Sequence, residues 1–360
     1  MSRRHFGSVR KLPSGFWQAT YKLHGANFRG PKTFRTKADA LAYLSTVEAD
    51  VLRGSWIDPE LTETRFHVVA EEWLRSNVNK RDSSLQRDLG ILENHVLPVF
   101  GNRAIGSIRP ANVQSLVDTW ASTYSANTTQ RHYATLRSIF SFAEASEIIL
   151  RSPCRGIRLP KIRQTERPVL TTAELLSLAD ALRLVDGLFM WCGAALGLRW
   201  SEIAGLTVDR MDFAARTVTV DRQIRRDGTF ALPKSDAGRR VLSCPVWLSD
   251  DLEELCEDLG KTDEDLIFST DSGSPLDYTN WRPRIWIPAC KEAGLEGLRF
   301  HDLRSMAATA LVASGADIKT AQKRLGHSSS RMTLDIYARA TGDADRAAAD
   351  AVGRFLRPDR

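Results

Sequence analysis

The first sixty residues carry two short stretches of alternating hydrophobic and polar positions, followed by a helical pattern. The alternating stretches lie at 16–21 and 27–34, and a turn containing Gly25 separates them, so they predict two short strands. Thr36 is a suitable N-cap for the helix that follows, and Gly54 supplies its end. Four apolar residues share one face of that helix: Leu41, Leu44, Val47 and Val51. The pattern predicts a small α+β unit, in which one helix backs a two- or three-stranded sheet.

Residues 63–150 are helical in pattern throughout. Ser125 begins one of the predicted helices as a polar cap. Apolar positions recur at helical spacing in three groups, which are Val68, Val69, Trp73 and Leu74, then Val113, Leu116, Val117 and Trp120, and then Leu136, Ile139, Phe140 and Ala143. We interpret the tryptophans as core residues. The segment predicts an all-helical bundle with basic residues on its outer faces.

A basic stretch with three prolines ends this helical region and marks a domain boundary. Farther on, 217–224 and 241–242 have the pattern of strands within an otherwise helical sequence, which predicts a mostly helical α+β domain with a small antiparallel sheet. Residues 341–356 carry an apolar stripe that predicts a tail helix. The chain is therefore expected to be multi-domain and mainly α. Its predicted parts are 1–62, 63–155, a basic linker at 156–168, 169–340 and a tail at 341–360.

Length and composition exclude several classes of protein. The chain has 360 residues, of which 42% are hydrophobic and 26% charged, a balance typical of globular proteins with more than one domain. Its longest uncharged apolar stretch, 187–198, has 12 residues, whereas a membrane span needs about 20. The five cysteines are scattered and form no C-x-x-C motif, which argues against a zinc cluster and a disulfide framework. We expect a cytoplasmic protein.

Positive charge is concentrated in the N-terminal two-fifths of the chain. The net charge of +6 is made up of +5 over 1–62, +3 over 63–160 and −2 over 161–360. Because neutralising phosphates releases counterions and drives association, the basic part predicts contact with a polyanion, with a merely solvated basic face as the alternative. The candidate phosphate-contacting residues are Arg3, Arg4, Arg10, Lys11, Arg29, Lys32, Arg155, Arg158, Lys161 and Arg163.

Four short segments between 190 and 340 carry candidate catalytic side chains. They are GLRWSE with Arg199 and Glu202, a predicted hairpin turn with Lys234, HDLR with His301 and Arg304, and LGHSS with His327, followed ten residues on by Tyr337. Each segment alone has a structural explanation, such as a helix-surface ion pair between Arg199 and Glu202. Their order, spacing and flanking residues together indicate one shared site.

Read together, these motifs resemble the tyrosine recombinase family, in particular its phage-type integrases. The resemblance covers 165–340 through the motifs and 63–160 through the helical architecture, as a core-binding (SAM-like) domain. Residues 1–60 resemble the arm-site-binding domain of phage-type integrases. The resemblance implies a site-specific recombinase that integrates and excises phage or mobile-element DNA, and that requires neither a metal, nor ATP, nor another cofactor.

By this resemblance, the phenol of Tyr337 attacks a DNA phosphodiester and forms a 3′-phosphotyrosine. Phosphoryl transfer requires the charge on the non-bridging oxygens to be neutralised. The resemblance assigns that role to Arg199 and Arg304, because planar guanidinium groups bind phosphate bidentately and stay charged.

The remaining motif residues are assigned to supporting roles by the same resemblance. His327 donates a further hydrogen bond to the phosphate, and Lys234 protonates the departing 5′-oxygen. His301 assists the removal of the proton from Tyr337. Glu202 orients Arg199 rather than reacting itself.

The resemblance also implies partners. They are double-stranded DNA with core-type and arm-type attachment sites, three further copies of the chain in a synaptic homotetramer, an excisionase or directionality factor, and a host DNA-bending protein. The setting is the bacterial nucleoid, with no membrane partner. The predicted tail helix packs either in cis or, as the resemblance favours, on a neighbouring subunit.

Three alternatives remain open at this point. The chain could be a chromosomal resolvase or a transposon-borne recombinase of the same family, although resolvases generally lack an arm-binding domain. A type IB topoisomerase shares the chemistry. A DNA-binding regulator without catalytic activity is the alternative from another class, and the complete set of motifs from Arg199 to Tyr337 argues against it.

Overall fold

The structure of the protein is a computed structural model, and it describes residues 6–78, 80–162, 170–233, 236–326 and 352. The chain divides into two compact units, Met1–Gln164 and Thr165–Arg360. In the described ranges, no helix is both long and apolar enough to cross a membrane.

The first unit begins with a three-stranded antiparallel sheet. Its strands, in spatial order, are β1 (Ser8–Lys11), β2 (Trp17–Leu23) and β3 (Ala26–Arg29). The turn between β2 and β3 needs left-handed backbone, with φ +50° at His24 and +85° at Gly25, as the predicted turn requires. The second predicted strand is shorter than expected. It ends at Arg29, and Phe34 returns to β2 only through an isolated bridge to Trp17.

One helix, α1 (Lys37–Leu52), packs on one face of this sheet. Thr36 caps it as predicted, because its hydroxyl accepts a hydrogen bond from the Asp39 N–H at 3.1 Å. The buried residues of the helix are Ala40, Leu44 and Val47. The prediction for Leu41 is wrong, because Leu41 lies outside the apolar cluster. Ala40 takes its place, since Ala40, Leu44 and Val47 are spaced by four and three residues and so lie on one face of the helix.

The opposite face of the sheet is polar. Cross-strand partners on it are hydrogen-bonded, since Arg10 Nε donates to Gln18 Oε1 at 3.0 Å and the Ser8 and Thr20 hydroxyls lie 2.9 Å apart. This face forms a shallow groove of about 570 Å³, and no acidic residue is found among the described residues that line it. Its polar side chains are Ser8, Arg10, Gln18, Thr20, Lys22, Asn27 and Arg29.

Six helices form the rest of the described first unit. They are α2 (Pro59–Thr62), α3 (Phe66–Ser76), α4 (Asp82–Ile91), α5 (Leu97–Phe100), α6 (Pro110–Thr123) and α7 (Ala126–Ala145), with a π-helical turn (Leu92–Val96) before α5 and a 3₁₀ turn (Ile105–Ser107) before α6. The apolar groups predicted on α6 and α7 are buried, as are Trp73 and Trp120. The prediction for Val68 is wrong, because α3 turns Phe66, Val69, Ala70 and Trp73 inward and leaves Val68 37% exposed.

The chain that follows α7 stays attached to these helices. The side-chain amide of Gln114 donates to the Arg158 carbonyl at 3.1 Å and accepts from the Arg158 N–H at 2.9 Å. Gln130 donates to the Pro160 carbonyl at 2.8 Å. The first part of the linker predicted over 156–168 is therefore held on α6 and α7 as far as Pro160.

The second unit is mostly helical. Its helices are α8 (Thr172–Asp180), α9 (Leu184–Ala195), α10 (Trp200–Ile203), α11 (Val246–Asp258), α12 (Tyr278–Trp281), α13 (Ile287–Glu292), α14 (Phe300–Ala313) and α15 (Ile318–Leu325), with a 3₁₀ turn (Val208–Arg210) after α10, another (Asp236–Gly238) before the last strand, and a π-helical turn (Arg282–Trp286) between α12 and α13. Its strands are β4 (Met211–Asp212), β5 (Thr217–Val220), β6 (Gln223–Ile224), β7 (Phe230–Ala231) and β8 (Arg240–Ser243).

These strands form two small antiparallel sheets instead of one. The first has the order β4-β5-β8, and the second pairs β6 with β7. The single strand predicted over 217–224 is therefore two strands, because the chain leaves the first sheet after Val220 and enters the second at Gln223.

Close packing of α9 against α14 positions the two motif arginines. Gly193 permits this approach, since a Cβ there would lie 2.9 Å from the Phe300 Cζ. Phe300 also belongs to a buried group of aromatic rings with contacting neighbours Phe189, Trp281 and Trp286. The C-terminal end of α9, which leads to Arg199, and the first turns of α14, which carry HDLR, are thereby fixed on one core.

Candidate active site

Arg199 is the N-cap residue of α10, and its backbone N–H and its side chain both donate to the carboxylate of Glu202. Gly197, with φ +68°, turns the chain from α9 into α10. Glu202 accepts the Arg199 N–H at 2.9 Å and Arg199 Nη1 at 2.6 Å. The arginine side chain is 36% exposed, whereas the carboxylate is 2% exposed. Glu202 is therefore a buried anchor that orients the partly open guanidinium of Arg199, not a member of a surface ion pair.

Arg304 and His301 lie in the first turns of α14. The carboxylate of Asp302 fixes the start of this helix by accepting the N–H of the N-cap residue at 3.0 Å. Arg304 is buried, and its guanidinium donates to the carbonyls of Gly197 and Leu325. His301 is exposed in the first turn. Arg304 thus joins the turn before Arg199 to the end of α15.

Three guanidinium groups converge on the C-terminal end of α15. The last carbonyls of a helix have no partner within the helix and carry partial negative charge. Three consecutive carbonyls are satisfied here by arginines: Arg324 O by Arg240 Nε at 2.9 Å, Leu325 O by Arg304 Nη2, and Gly326 O by Arg199 Nη2 at 3.5 Å. The end of α15 is the point at which the separate motifs of the sequence meet.

Gly326 is the residue that lets the chain pass through this crowded point. It ends α15 in left-handed conformation, with φ +60°. A Cβ at this position would lie 2.8 Å from the Ala237 carbonyl oxygen and 3.0 Å from Arg240 Nη1. Any other residue would therefore displace either the chain that follows Lys234 or the buried Arg240 side chain.

Arg240 is a part of the site that sequence reasoning missed. Its side chain is 1% exposed, donates to the two Glu202 oxygens at 3.3 and 2.9 Å, and donates to the Gly238 carbonyl at 2.9 Å. A signal existed, because β8 alternates buried and exposed positions and places Arg240 on the same inward face as Leu242. A strand begun one residue earlier than the predicted 241–242 would have put this charged residue inside.

The described part of the site contains three arginines and one carboxylate. Burial, followed by repulsion from Arg199, lowers the pKa of Arg304 to about 9. Burial raises the pKa of Glu202, but hydrogen bonds and charge from Arg240 and Arg199 outweigh it and hold that pKa below its usual value. Buried cations are costly unless they are paired. The excess of positive charge is therefore suited to an anionic ligand.

Several predicted catalytic residues lie outside the described residues. They are Lys234, His327 and Tyr337, together with the predicted tail other than Val352. The described chain ends next to two of them, at Pro233 and at Gly326. Among the residues that the structure describes, no group of three or more His, Cys, Asp or Glu side chains could hold a metal ion.

The candidate phosphate contacts of the N-terminal sheet fall into two sets. Arg10 and Arg29 line the polar groove, which also contains Lys22, a cation that the sequence analysis did not single out. Lys11 and Lys32 are exposed outside that groove. Alternation along β2 was the signal that could have identified Lys22, since it lies two residues from the groove residue Thr20.

The basic residues near the domain boundary are exposed. Arg155 is paired with Glu144 at 2.6 Å, whereas Arg158 and Lys161 are exposed beside the segment held by Gln114 and Gln130. Three further candidates, Arg3, Arg4 and Arg163, lie outside the described residues.

Solved structures share this fold. The Tn1549 transposon integrase in complex with transposon right-end DNA matches with a TM-score of 0.69 at 20% identity, over 81% of this chain and 100% of that one. A lambda integrase dimer bound to a COC′ core site matches with a TM-score of 0.61 at 16% identity, over 94% of this chain and 96% of that one. The predicted multi-domain, mainly α architecture is confirmed, and it is that of the tyrosine integrases.

The sequence itself matches phage integrases along most of its length. Family models described as "Phage integrase, N-terminal domain", "Phage integrase central domain" and "Phage integrase family" match residues 5–53, 66–159 and 168–343. The "Putative prophage phiRv2 integrase" of Mycobacterium tuberculosis is 32% identical, over 96% of this chain and 94% of its own. The integrase of Mycobacterium phage L5 is 26% identical, over 99% and 100%. The chain therefore belongs to the phage integrase family of tyrosine recombinases, and it is a site-specific DNA recombinase, as its motifs predict.

Proposed function

We propose that this recombinase integrates and excises the DNA of a phage or related mobile element by cutting each strand through Tyr337. The observation that carries the proposal is the arginine cluster of the second unit. Arg199, Arg240 and Arg304 converge on Glu202 and the end of α15, and their charge exceeds that of the single carboxylate. A DNA phosphodiester supplies the missing anion.

The proposed reaction conserves bond energy. The phenolic oxygen of Tyr337 attacks the phosphorus, the bond from phosphorus to the 5′-oxygen breaks, and a 3′-phosphotyrosine and a free 5′-hydroxyl result. A 5′-hydroxyl from the partner duplex then attacks the phosphotyrosine and releases the phenol. One phosphoester bond replaces another in each step, so the reaction requires no nucleotide cofactor.

The arginines and the proton-transferring residues have separate roles in this scheme. Arg199 and Arg304 bind the non-bridging oxygens, where their fixed positive charge stabilises the transition state. His327 donates a further hydrogen bond to the phosphate. Lys234 protonates the 5′-oxygen, and His301 assists deprotonation of Tyr337, whose phenol has a reference pKa of about 10.

We further propose that the predicted domains bind different DNA sites. The N-terminal domain, 1–62, binds arm-type sites through the polar groove. The domains at 63–155 and 169–340, which the basic linker 156–168 joins, bind a core-type site. Four copies assemble on two synapsed sites, with the tail at 341–360 docked on a neighbour. A solved lambda integrase tetramer bound to a Holliday junction, with a TM-score of 0.59 at 16% identity, has this stoichiometry. An excisionase and a host bending protein set the direction of the reaction on the nucleoid.

A transposon-borne or chromosomal recombinase is the second candidate. The "Tyrosine recombinase XerC" of Mycobacterium bovis is 28% identical, but only over 62% of this chain. The phiRv2 prophage and phage L5 integrases match this chain over 96% and 99% of its length, and the ICEBs1 integrase of Bacillus subtilis matches at 25% identity over 97%, so these three matches include most of the basic N-terminal region. The N-terminal unit therefore favours an integrase over a resolvase.

The experiment that tests the proposal captures the covalent intermediate. The full chain is incubated with DNA from around its own gene and a candidate target sequence, the reaction is quenched in denaturant, and the protein–DNA junctions are sequenced. We expect adducts at two fixed positions, one on each strand. We also expect recombination between the DNA from around the gene and the target DNA when each carries a marker. Relaxation of supercoils without recombination would instead indicate a topoisomerase.

The polar groove gives a separate prediction about binding. Replacing Lys22 and Arg29 by alanine should weaken binding of DNA that carries the arm-type sites, because both cations line a groove without acidic residues. Each lost phosphate contact should lower the slope of log affinity against log salt by about 0.9. Fluorescence anisotropy between low and moderate salt measures both quantities.

Arg35 and Lys37 provide the matched control, because both are exposed outside the groove. Replacing these two residues by alanine removes the same total charge. If both double variants lose the same affinity and the same salt slope, only net charge matters and the groove has no specific role.

A further inference from the structure

Arg240 is the most highly connected side chain described in the second unit that the proposed mechanism does not use. Its guanidinium makes four hydrogen bonds to four acceptor atoms, which are the two Glu202 carboxylate oxygens, the carbonyl oxygen of Gly238 and the carbonyl oxygen of Arg324. Its side chain is 1% exposed. It is therefore poorly placed to bind DNA directly.

The acceptors of Arg240 lie on three segments of the chain, and each of these segments carries a proposed catalytic residue. Glu202 orients Arg199. Gly238 follows Lys234 by four residues in the sequence. Arg324 lies on the last turn of α15, three residues before His327. One guanidinium thus fixes the relative positions of three segments that are far apart in the sequence.

The hydrogen bonds on Glu202 connect Arg240 to Arg199. The carboxylate accepts four hydrogen bonds, two from Arg199 and two from Arg240, which is the number that its lone pairs can accept. Without Arg240, the buried carboxylate would be left with Arg199 as its only cation. It would then hold the Arg199 guanidinium more tightly and reduce its availability to a phosphate.

Lysine could not replace Arg240 in this arrangement. Lysine has three donors on one atom and cannot reach carbonyls and carboxylate oxygens on different sides. The neighbouring Gly326 leaves no space for a rearrangement, because even a Cβ there would lie 3.0 Å from Arg240 Nη1.

We propose that Arg240 is a positioning residue for strand cleavage. It acts through Glu202 on the phosphate-binding fork of Arg199, and through Gly238 and Arg324 on the segments that carry Lys234 and His327. This inference rests on the proposed function, since it assumes that Arg199 binds the scissile phosphate.

The test compares single-turnover cleavage of two nicked core-site duplexes by the full chain. One duplex has an ordinary phosphodiester at the scissile position, and the other has a methylphosphonate, which lacks one charged oxygen and so depends less on Arg199. We expect Arg240→Met to slow cleavage of the phosphodiester by about 10²-fold, the usual effect of misplacing a catalytic group by about 1 Å. The loss should fall below about tenfold on the methylphosphonate, as it should for Arg199→Ala. Affinity for the duplex should change less than threefold.

A second variant protects the test against a folding defect. Arg240→Met with Glu202→Met removes the charged pair together, which usually leaves a protein folded when both partners are replaced by apolar residues. We expect this double variant to cleave the phosphodiester no faster than Arg240→Met alone, because Arg199 is released from the carboxylate but also loses the group that orients it. The control Arg210→Met breaks another arginine–carboxylate pair of this unit, with Asp221 at 3.0 Å, and should cleave at the normal rate.

The outcomes distinguish the inference from the function on which it rests. Equal losses on the two duplexes would reduce Arg240 to a structural residue, and unchanged cleavage by Arg240→Met would remove it from the site altogether. Either result overturns the inference while the wild-type chain still forms its adduct. Absence of an adduct from the wild-type chain on any duplex would instead overturn the proposed function.

Discussion

Arg304→Lys should lower the rate of strand cleavage by about 10³-fold, at the upper end of what one transition-state hydrogen-bond donor contributes. Arg304 donates to the carbonyls of Gly197 and Leu325 at the same time, so its orientation is fixed before any DNA binds. A lysine ammonium is a single point of charge whose three N–H groups share one atom, so it cannot reproduce the planar fork that donates to both carbonyls. The remaining N–H groups that would face a phosphate are lost as well.

Quenched-flow measurement of covalent adduct on a nicked core-site duplex gives this rate. The matched control is Arg210→Lys, which makes the same change in a half-exposed arginine that pairs with Asp221. It should retain nearly the normal rate. Near-normal cleavage by Arg304→Lys would mean that fixed positive charge suffices at this position and that the planar fork is not used.

Tyr337→Phe should abolish the covalent adduct while leaving DNA binding intact. The substitution removes one oxygen atom and keeps the ring, so it is the smallest change that takes away the nucleophile. Without the phenolic oxygen there is no atom at this position to attack the phosphorus. A denaturing gel detects the adduct, and a gel-mobility shift under native conditions measures binding.

Tyr124→Phe makes the equivalent change on a 38% exposed tyrosine of the central helices, and it should form adduct at the normal rate. A residual adduct from Tyr337→Phe would place the nucleophile on another residue. Peptide mapping of that adduct would then identify it.

The sequence predicts most helices of this protein because their patterns are local. Thr36, Ser125 and Thr171 each accept an N–H three residues on, and such caps can be identified without knowledge of the tertiary structure. Errors occur where an apolar residue lies at the edge of a helical stripe. Around the helix axis, Val68 and Leu41 lie within a few tens of degrees of the predicted apolar face. Packing against a particular neighbour nevertheless buries Ala70 and Ala40 instead.

The candidate site also has residues that the sequence identifies and one that it does not. The motifs around Arg199 and Arg304 are identified from the sequence because each has a distinctive local pattern. The alternation along β8 places Arg240 on the inward face, but its role comes from contacts with Glu202, 38 residues away, and with Arg324, 84 residues away. Contacts over such distances depend on how β8, α10 and α15 come together, which no local pattern records.

The fully occupied carboxylate of Glu202 has a consequence for behaviour in acid. Burial raises the pKa of this carboxylate, but donors from Arg240 and Arg199 keep it below the ordinary 4.5 in the folded state, so a proton can bind only by displacing one of those donors. The stabilisation that this carboxylate contributes is complete above pH 4.5 and is lost only as the pH falls through the lower folded-state value. An acid limb of the rate profile near neutral pH would therefore report the titration of groups other than Glu202, while the arginines around this carboxylate keep their arrangement.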